Sequence, residues 1–155
     1  MKKRKRLVLG GLGAVLALLL ALGIWWLRGG PRLWTQRQFE SHQRAFAETA
    51  AAALAEEPWK DVPGVRNVNV WTKEGAEDVL VLVADFTTGG WGLGSSTRYW
   101  GVYYTTDGQP AGFQGTDMEL TEDASGQYSW QEPGGDNSYQ TWQLGEGWYG
   151  YLMEF

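Results

Sequence analysis

The sequence predicts an α+β protein: an N-terminal transmembrane helix, then one amphipathic helix packed on a curved antiparallel β-meander, in the manner of cystatin-like architectures. Three observations predict it. Leu7 to Leu27 holds no charged or strongly polar side chain. Arg32 to Glu57 repeats its apolar residues at helical spacing. From Pro58 onward the composition shifts to glycine, aromatic and β-branched residues broken by turn signals.

The chain opens MKKRKR, a basic stub over residues 1–6 that leaves the N-terminus in the cytoplasm by the positive-inside rule. The 21 residues of 7–27 follow as a signal-anchor helix. At about 1.5 Å of rise each they span roughly 30 Å, the thickness of a hydrocarbon core. Trp25 and Trp26 fall at its far end, where indoles favour the membrane–water boundary. Gly13, Ala17 and Ala21 recur every four residues and form a small-residue stripe that permits a weak homodimer in the membrane. The rival reading is a cleaved signal peptide. Ala21-Leu22-Gly23 has the small-x-small pattern, and cleavage near Gly23 would give a secreted product. The apolar run continues through Ile24–Leu27, beyond the roughly 7–15 residues of an ordinary signal core, which favours the anchor. Either way, the bulk of the chain is expected outside the cytoplasm.

Residues 28–57 are read as a juxtamembrane segment and amphipathic helix. Arg28-Gly-Gly-Pro-Arg32 is expected to end the first helix, because Pro31 lacks a backbone donor. Phe39, Phe46, Ala50, Ala53 and Leu54 share one face of the second. Pro58 closes it, since the residue before proline is pushed from helical geometry. Residues 58–155 form the β region, one domain with the helix. Strands are expected at 64–71, 78–86, 97–105, 111–120, 127–132, 138–144 and 147–155, joined by glycine-containing turns too short for crossover helices. Val79 to Ala84 is apolar throughout and reads as the central strand.

Composition narrows the function. From Arg28 onward there are eight basic and 18 acidic side chains, and after Arg98 none is Lys or Arg. Such a surface repels phosphate backbones and argues against nucleic acid as a partner. The chain has no cysteine, which excludes a disulfide scaffold, a thiol nucleophile and thiolate metal sites. No cofactor motif is present.

Gly89–Trp100 (GGWGLGSSTRYW) carries the glycine pattern of a ligand cradle but lacks the lysine and the following helix of a phosphate loop. It reads as a long hairpin loop, with Trp91 and Arg98 placed to close over a ligand. His42, the single histidine, is expected as a solvated helix residue. Among the acids, Asp117 and Glu119 share a strand face, Asp136 sits in a Gly-Gly-Asp-Asn turn, and Asp85 adjoins the apolar strand. Two converging carboxylates would make a glycan hydrolase. A carboxylate buried at Asp85 would have a raised pKa, although the strand end is its expected place. Seven tryptophans follow Pro58, enough for a core with rings to spare, so Trp130 and Trp142 join Trp91, Arg98 and Asp136 as ligand-contact candidates. The alternative use of these rings is to fill the core and cover the sheet, with glycines opposite them.

Gly101–Gly115 (GVYYTTDGQPAGFQG) and the ending GDNSYQTWQLGEGWYGYLMEF resemble segments of small single-pass membrane-anchored proteins of Gram-positive anaerobes. The resemblance covers residues 71–155 and implies no activity. The layout is also similar to type IV pilins, but it lacks a glutamate early in the apolar segment and carries the Gly-Gly-Pro interruption. The sequence therefore leads to a non-catalytic, membrane-anchored extracytoplasmic binding or envelope-associated module, with a cell-wall glycan or a protein as partner. A carboxylate-dependent hydrolase and an accessory subunit of a membrane complex are the alternatives.

Overall fold

The computed structural model describes the backbone of residues 2–76, 79–93 and 96–155, and the side chains of the same residues other than 2–12, 14 and 25–28. Helix α1 (Lys2–Leu54) precedes seven strands: β1 (Asn67–Glu74), β2 (Leu80–Leu93), β3 (Ser96–Thr105), β4 (Thr121–Glu122), β5 (Gln127–Gln131), β6 (Ser138–Gly145) and β7 (Trp148–Glu154). The chain divides into two compact units, Met1–Pro31 and Arg32–Phe155.

In the first unit Val15, Leu16, Leu18, Leu19, Leu20, Leu22 and Ile24 are each 53–63% exposed. Among the described residues no helix is long and apolar enough to cross a membrane, so the expected span is not shown. Gly13, Ala17 and Ala21 are exposed, whereas Trp25 and Trp26 lie outside the described side chains.

The expected helix break at Arg28–Arg32 is not observed: α1 runs through Gly29, Gly30 and Pro31. Proline at position 31 deletes one amide donor, and the bonds on either side carry the helix across. The departure from helical geometry lies at His42 instead (φ −133°, ψ 23°). Its half-buried ring donates from Nδ1 to the Gln38 carbonyl at 3.1 Å, so His42 serves the kink and is not a solvated side chain. The helix ends in a Schellman arrangement. Glu57 N–H bonds the Ala52 carbonyl at 2.9 Å, Glu56 N–H bonds the Ala53 carbonyl at 3.2 Å, and Glu56 takes a left-handed φ of 56°. Pro58 then prevents continuation.

In the second unit the strands lie in the order β1-β2-β3-β7-β6-β5-β4, with every neighbouring pair antiparallel. The sheet is therefore antiparallel but not the simple meander expected. Two meanders, β1–β3 and β4–β7, meet along the β3–β7 pair. The chain between β3 and β4 crosses one face of the sheet as a strap, residues 106–120. That segment contains Ala111–Leu120, expected as a strand, and forms only a one-turn 3-10 helix at Phe113–Gly115. β2 is likewise second in the order, and β7 takes the middle. Leu80 and Leu82 are exposed, while Ala84 and Phe86 on the same face are fully buried where the helix reaches them.

Each face of the sheet has its own core. On the helix face Phe39, Phe46 and Ala50 pack on Ala84, Phe86 and Val102, with Phe46 edge-on to Phe86 at 5.1 Å. On the strap face Ala111 and Phe113 pack on Val83, Tyr103, Tyr139, Tyr149, Tyr151 and Met153. Trp71 from β1 and Tyr128 and Trp130 from β5 close over the same cluster. Those strands stand five places apart, roughly 24 Å across a flat sheet at about 4.8 Å per strand. Their meeting shows that the sheet curls around the strap.

The glycine run is strand rather than loop. β2 continues to Leu93, and beyond a bulge at Thr88 it pairs Gly89 with Trp100 and Trp91 with Arg98. A Cβ built on Gly89 would lie 2.3 Å from the Trp100 ring, so the glycine makes room for a buried indole. Gly89→Ala is accordingly expected to cost about 1–3 kcal/mol by overpacking, read as a lower urea midpoint. A ligand cradle would leave the midpoint unchanged.

Candidate functional site

The strap needs partners for its backbone, and the sheet supplies them as tyrosine hydroxyls. Tyr103 Oη accepts from the Ala111 N–H at 3.0 Å and shares a hydrogen bond with Thr141 Oγ1 at 2.9 Å. Tyr139 donates to the Ala111 carbonyl at 3.1 Å, and Tyr149 donates to the Gly108 carbonyl at 2.7 Å. At the β1 side the Lys73 ammonium donates to the carbonyls of Gln109 and Pro110, both at 3.1 Å, and pairs with Asp107 at 3.0 Å. Partial burial acts to raise the Asp107 carboxyl, but hydrogen bonds from Thr105 and the Gln109 N–H, together with Lys73, outweigh it and hold its pKa below the usual value. Further along, Gln114 and Gly115 both take positive φ (49° and 79°), and Gly115 rests against the Trp71 ring. A non-glycine residue in that region stores of order 1 kcal/mol of strain.

Asp85 lies inside the same face, 1% exposed, and not at the strand end where the sequence places it. The pairing of Asp85 with Tyr103 sets it among the tyrosines. Tyr151 Oη donates to its carboxylate at 3.3 Å, Thr87 Oγ1 donates at 3.4 Å, and no cation pairs with it among the described residues. Burial pushes its pKa from 3.8 to about 7, against the opposing pull of these two hydroxyls. A group so enclosed does not meet a substrate, and its role is in the core.

Between the strap and β1 lies an open cavity of about 670 Å³, within the size range of small-molecule sites. Trp71 and Tyr128 form aromatic walls, Met118 and Leu120 apolar ones, and Asp117 brings a carboxylate. The Trp71 Nε1–H beside it is buried without an acceptor among the described residues.

Comparison of the chain with protein-family models, curated proteins and solved structures returns no match.

The residues singled out in the sequence are distributed rather than gathered. Trp91 is 41% exposed on the β2–β3 hairpin, where it lines a shallow groove of about 210 Å³, and Arg98 opposite it is paired with Glu154. Trp130 lines a second cavity of about 500 Å³ with Glu119. Trp142 is buried on the helix face, its ring 4.9 Å beneath the Arg32 guanidinium. Asp136 is exposed in the β5–β6 turn. Asp117 and Glu119 lie on the strap, not on a strand, and line different cavities. Sequence reasoning missed Trp71 and Tyr128, because only the curl of the sheet brings β1 and β5 to one cavity. The local signal for the strap was Gln-Pro-Ala-Gly-Phe-Gln-Gly (109–115), richer in turn residues than a strand should be.

Two measurements follow from this geometry. Tyr103→Phe strips the Ala111 N–H of its acceptor and is expected to cost about 1–3 kcal/mol in chemical unfolding; a loss under about 0.3 kcal/mol would show that the hydroxyl does not hold the strap. Asp85 is protonated when folded and ionised when unfolded between pH 3.8 and about 7. Its contribution is therefore fully present below pH 3.8 and is lost as pH rises through 7, by up to roughly 1.4 kcal/mol per pH unit. Asp85→Asn should flatten that slope in unfolding curves taken across the window, and an unchanged slope would show that another group titrates.

Proposed function

We propose that the chain is a membrane-tethered, non-catalytic binding module whose second unit stands outside the cytoplasm and takes its ligand in the cavity between the strap and β1. The cavity is the observation that carries this reading. It is ligand-sized, it joins aromatic walls to a few polar groups, and it sits under a strained turn. The acids that hydrolysis would require are dispersed: Asp85 is enclosed, Asp136 lies in an exposed turn, and Asp117 and Glu119 line separate cavities. The tether is supported by the apolar side chains from Val15 to Ile24, exposed along one helix, which lipid would cover. The basic stub sets the orientation.

Because the native chain has no cysteine, a single Ser125→Cys label tests the topology. A membrane-impermeant maleimide should modify Cys-substituted protein on intact cells; modification only after lysis would overturn the orientation. For binding, the full chain in detergent is probed by saturation-transfer NMR with wall glycans, short peptides and small amines. At least one class should bind to the parent protein and lose binding in Trp71→Ala but not in Trp91→Ala. Silence across all three classes would remove the binding module.

A further inference from the structure

Strand β1 is an edge of the sheet, and its outer side is unpaired. Its neighbours fix which way each residue bonds. Leu82, the partner of Thr72, bonds away from β1: its carbonyl accepts from the Thr106 N–H at 3.1 Å and its N–H donates to Thr106 Oγ1 at 3.2 Å. Gly75, by contrast, donates its N–H across the hairpin to the Val79 carbonyl at 2.8 Å. Antiparallel pairs alternate between bonded and non-bonded, so Trp71 and Lys73 bond β2, while Val68, Val70, Thr72 and Glu74 aim N–H and C=O outward. None of those outward groups has a partner among the described residues. Val68, Val70 and Thr72 are neither charged nor proline, and the Lys73 ammonium is held by the Gln109 and Pro110 carbonyls. Neither a proline nor a free lysine therefore blunts the centre of this edge.

The cavity between the strap and β1 runs along it. Trp71 and Lys73, whose side chains lie on the strap face, border the cavity, and so do Thr72, Glu74 and Leu80, whose side chains lie on the helix face. Four consecutive β1 residues at about 3.3 Å each give roughly 13 Å of open edge. On the opposite bank the strap leaves its turn in extended geometry at Thr116 (φ −68°, ψ 131°), and residues 117–120 make no backbone hydrogen bond among the described residues.

We infer that this edge takes an extended, uncharged peptide segment as an added strand. The inference rests on the proposed binding role of the same cavity and names the class of its ligand. The peptide main chain pairs with the N–H and C=O groups that Val70 and Thr72 leave open. Its side chains alternate between the two faces. Those on the strap face meet Trp71, Tyr128 and Met118, and those on the helix face meet the exposed Val70, Leu80 and Leu82. Apolar and β-branched residues suit both sets of positions, whereas a charged side chain would lose water against these surfaces for little return. A second copy of β1 is a poorer occupant. On the strap face its Trp71 and Lys73 are held by its own strap, leaving only Asn67 and Asn69 to reach the cavity.

The test uses the full chain in neutral detergent and isothermal titration. The probe is an end-blocked hexapeptide alternating threonine with valine and phenylalanine, and its comparator has the same side chains with every backbone amide N-methylated. The parent peptide should bind, and N-methylation should weaken it about tenfold or more. Val70→Pro and Thr72→Pro each remove one outward N–H and leave the ladder to β2 intact, a change that edge strands tolerate. Each should weaken binding roughly fivefold, and the pair together on the order of twentyfold, with near-ultraviolet circular dichroism of the tryptophans verifying the fold. Should the proline variants fail to fold, a peptide isotope-labelled at its carbonyls reads the same contact in the parent protein, its amide I band moving to the sheet position on binding. Equal binding of the two peptides, or binding without the infrared shift, would overturn strand addition while leaving a cavity that recognises side chains. Absence of binding by the hexapeptide would also overturn it, and the binding module would then rest on glycans and amines alone. A concentration-dependent dimer abolished by Thr72→Pro would give the edge to a second copy and overturn the peptide assignment.

Discussion

Tyrosine hydroxyls on one face of the sheet satisfy the backbone of a segment that forms no strand, and much of the second unit depends on that exchange. A chain crossing a buried face cannot leave its N–H and C=O groups unpaired, because each orphan costs as much as a lost hydrogen bond or more. The strap has no ladder to draw on. Tyr103, Tyr139 and Tyr149 reach Ala111 and Gly108 instead, bringing large apolar rings into the core and hydroxyls to the backbone above them. With the strap seated, the sheet has an object to curl around, and the curl brings Trp71 and Tyr128 to the same cavity.

The two cores differ in chemistry for the same reason. Helix α1 makes its own backbone hydrogen bonds, so the face beneath it can be built from Phe86, Val102 and Ala84 against Phe39 and Phe46. The face beneath the strap has to be polar at its tips, and it is: four tyrosines, Thr141 and Thr87 lie within it. Asp85 belongs to this polar interior. Its neighbours are hydroxyls rather than cations, so burial raises its pKa to about 7 and the protonated form prevails below neutrality. On the helix face the same carboxyl would meet only hydrocarbon and rings.

The glycines acquire their meaning from the rings across from them. Trp100 lies over Gly89, and Trp142 lies over Gly150, where an added Cβ would come within 2.6 Å of the indole. A run that looks locally like a ligand-binding loop is thus a surface relieved to admit indoles. The exposed remainder at the hairpin, Trp91 and Tyr99, is separate from the cavity under the strap.

By itself the sequence determined that residues 32–54 are helical, though not where that helix begins, and it determined the buried face through Phe39, Phe46, Ala50 and Ala53, six of the strands, the antiparallel pairing and the opposite-face alternation of Trp100 and Tyr103. These are properties of periodicity and turn chemistry, which act over a few residues and are written locally. The strap, the order of the strands, the enclosure of Asp85 and the cavity between β1 and β5 were decided only in the tertiary structure. Local pattern gives Ala111–Leu120 the look of a strand, and gives Lys73 no sign that its ammonium is consumed by carbonyls 36 and 37 residues away. Contacts of that range are set by which elements reach each other first and by which buried groups must be paired. That is a property of the assembled sheet, beyond what any single stretch of the chain encodes.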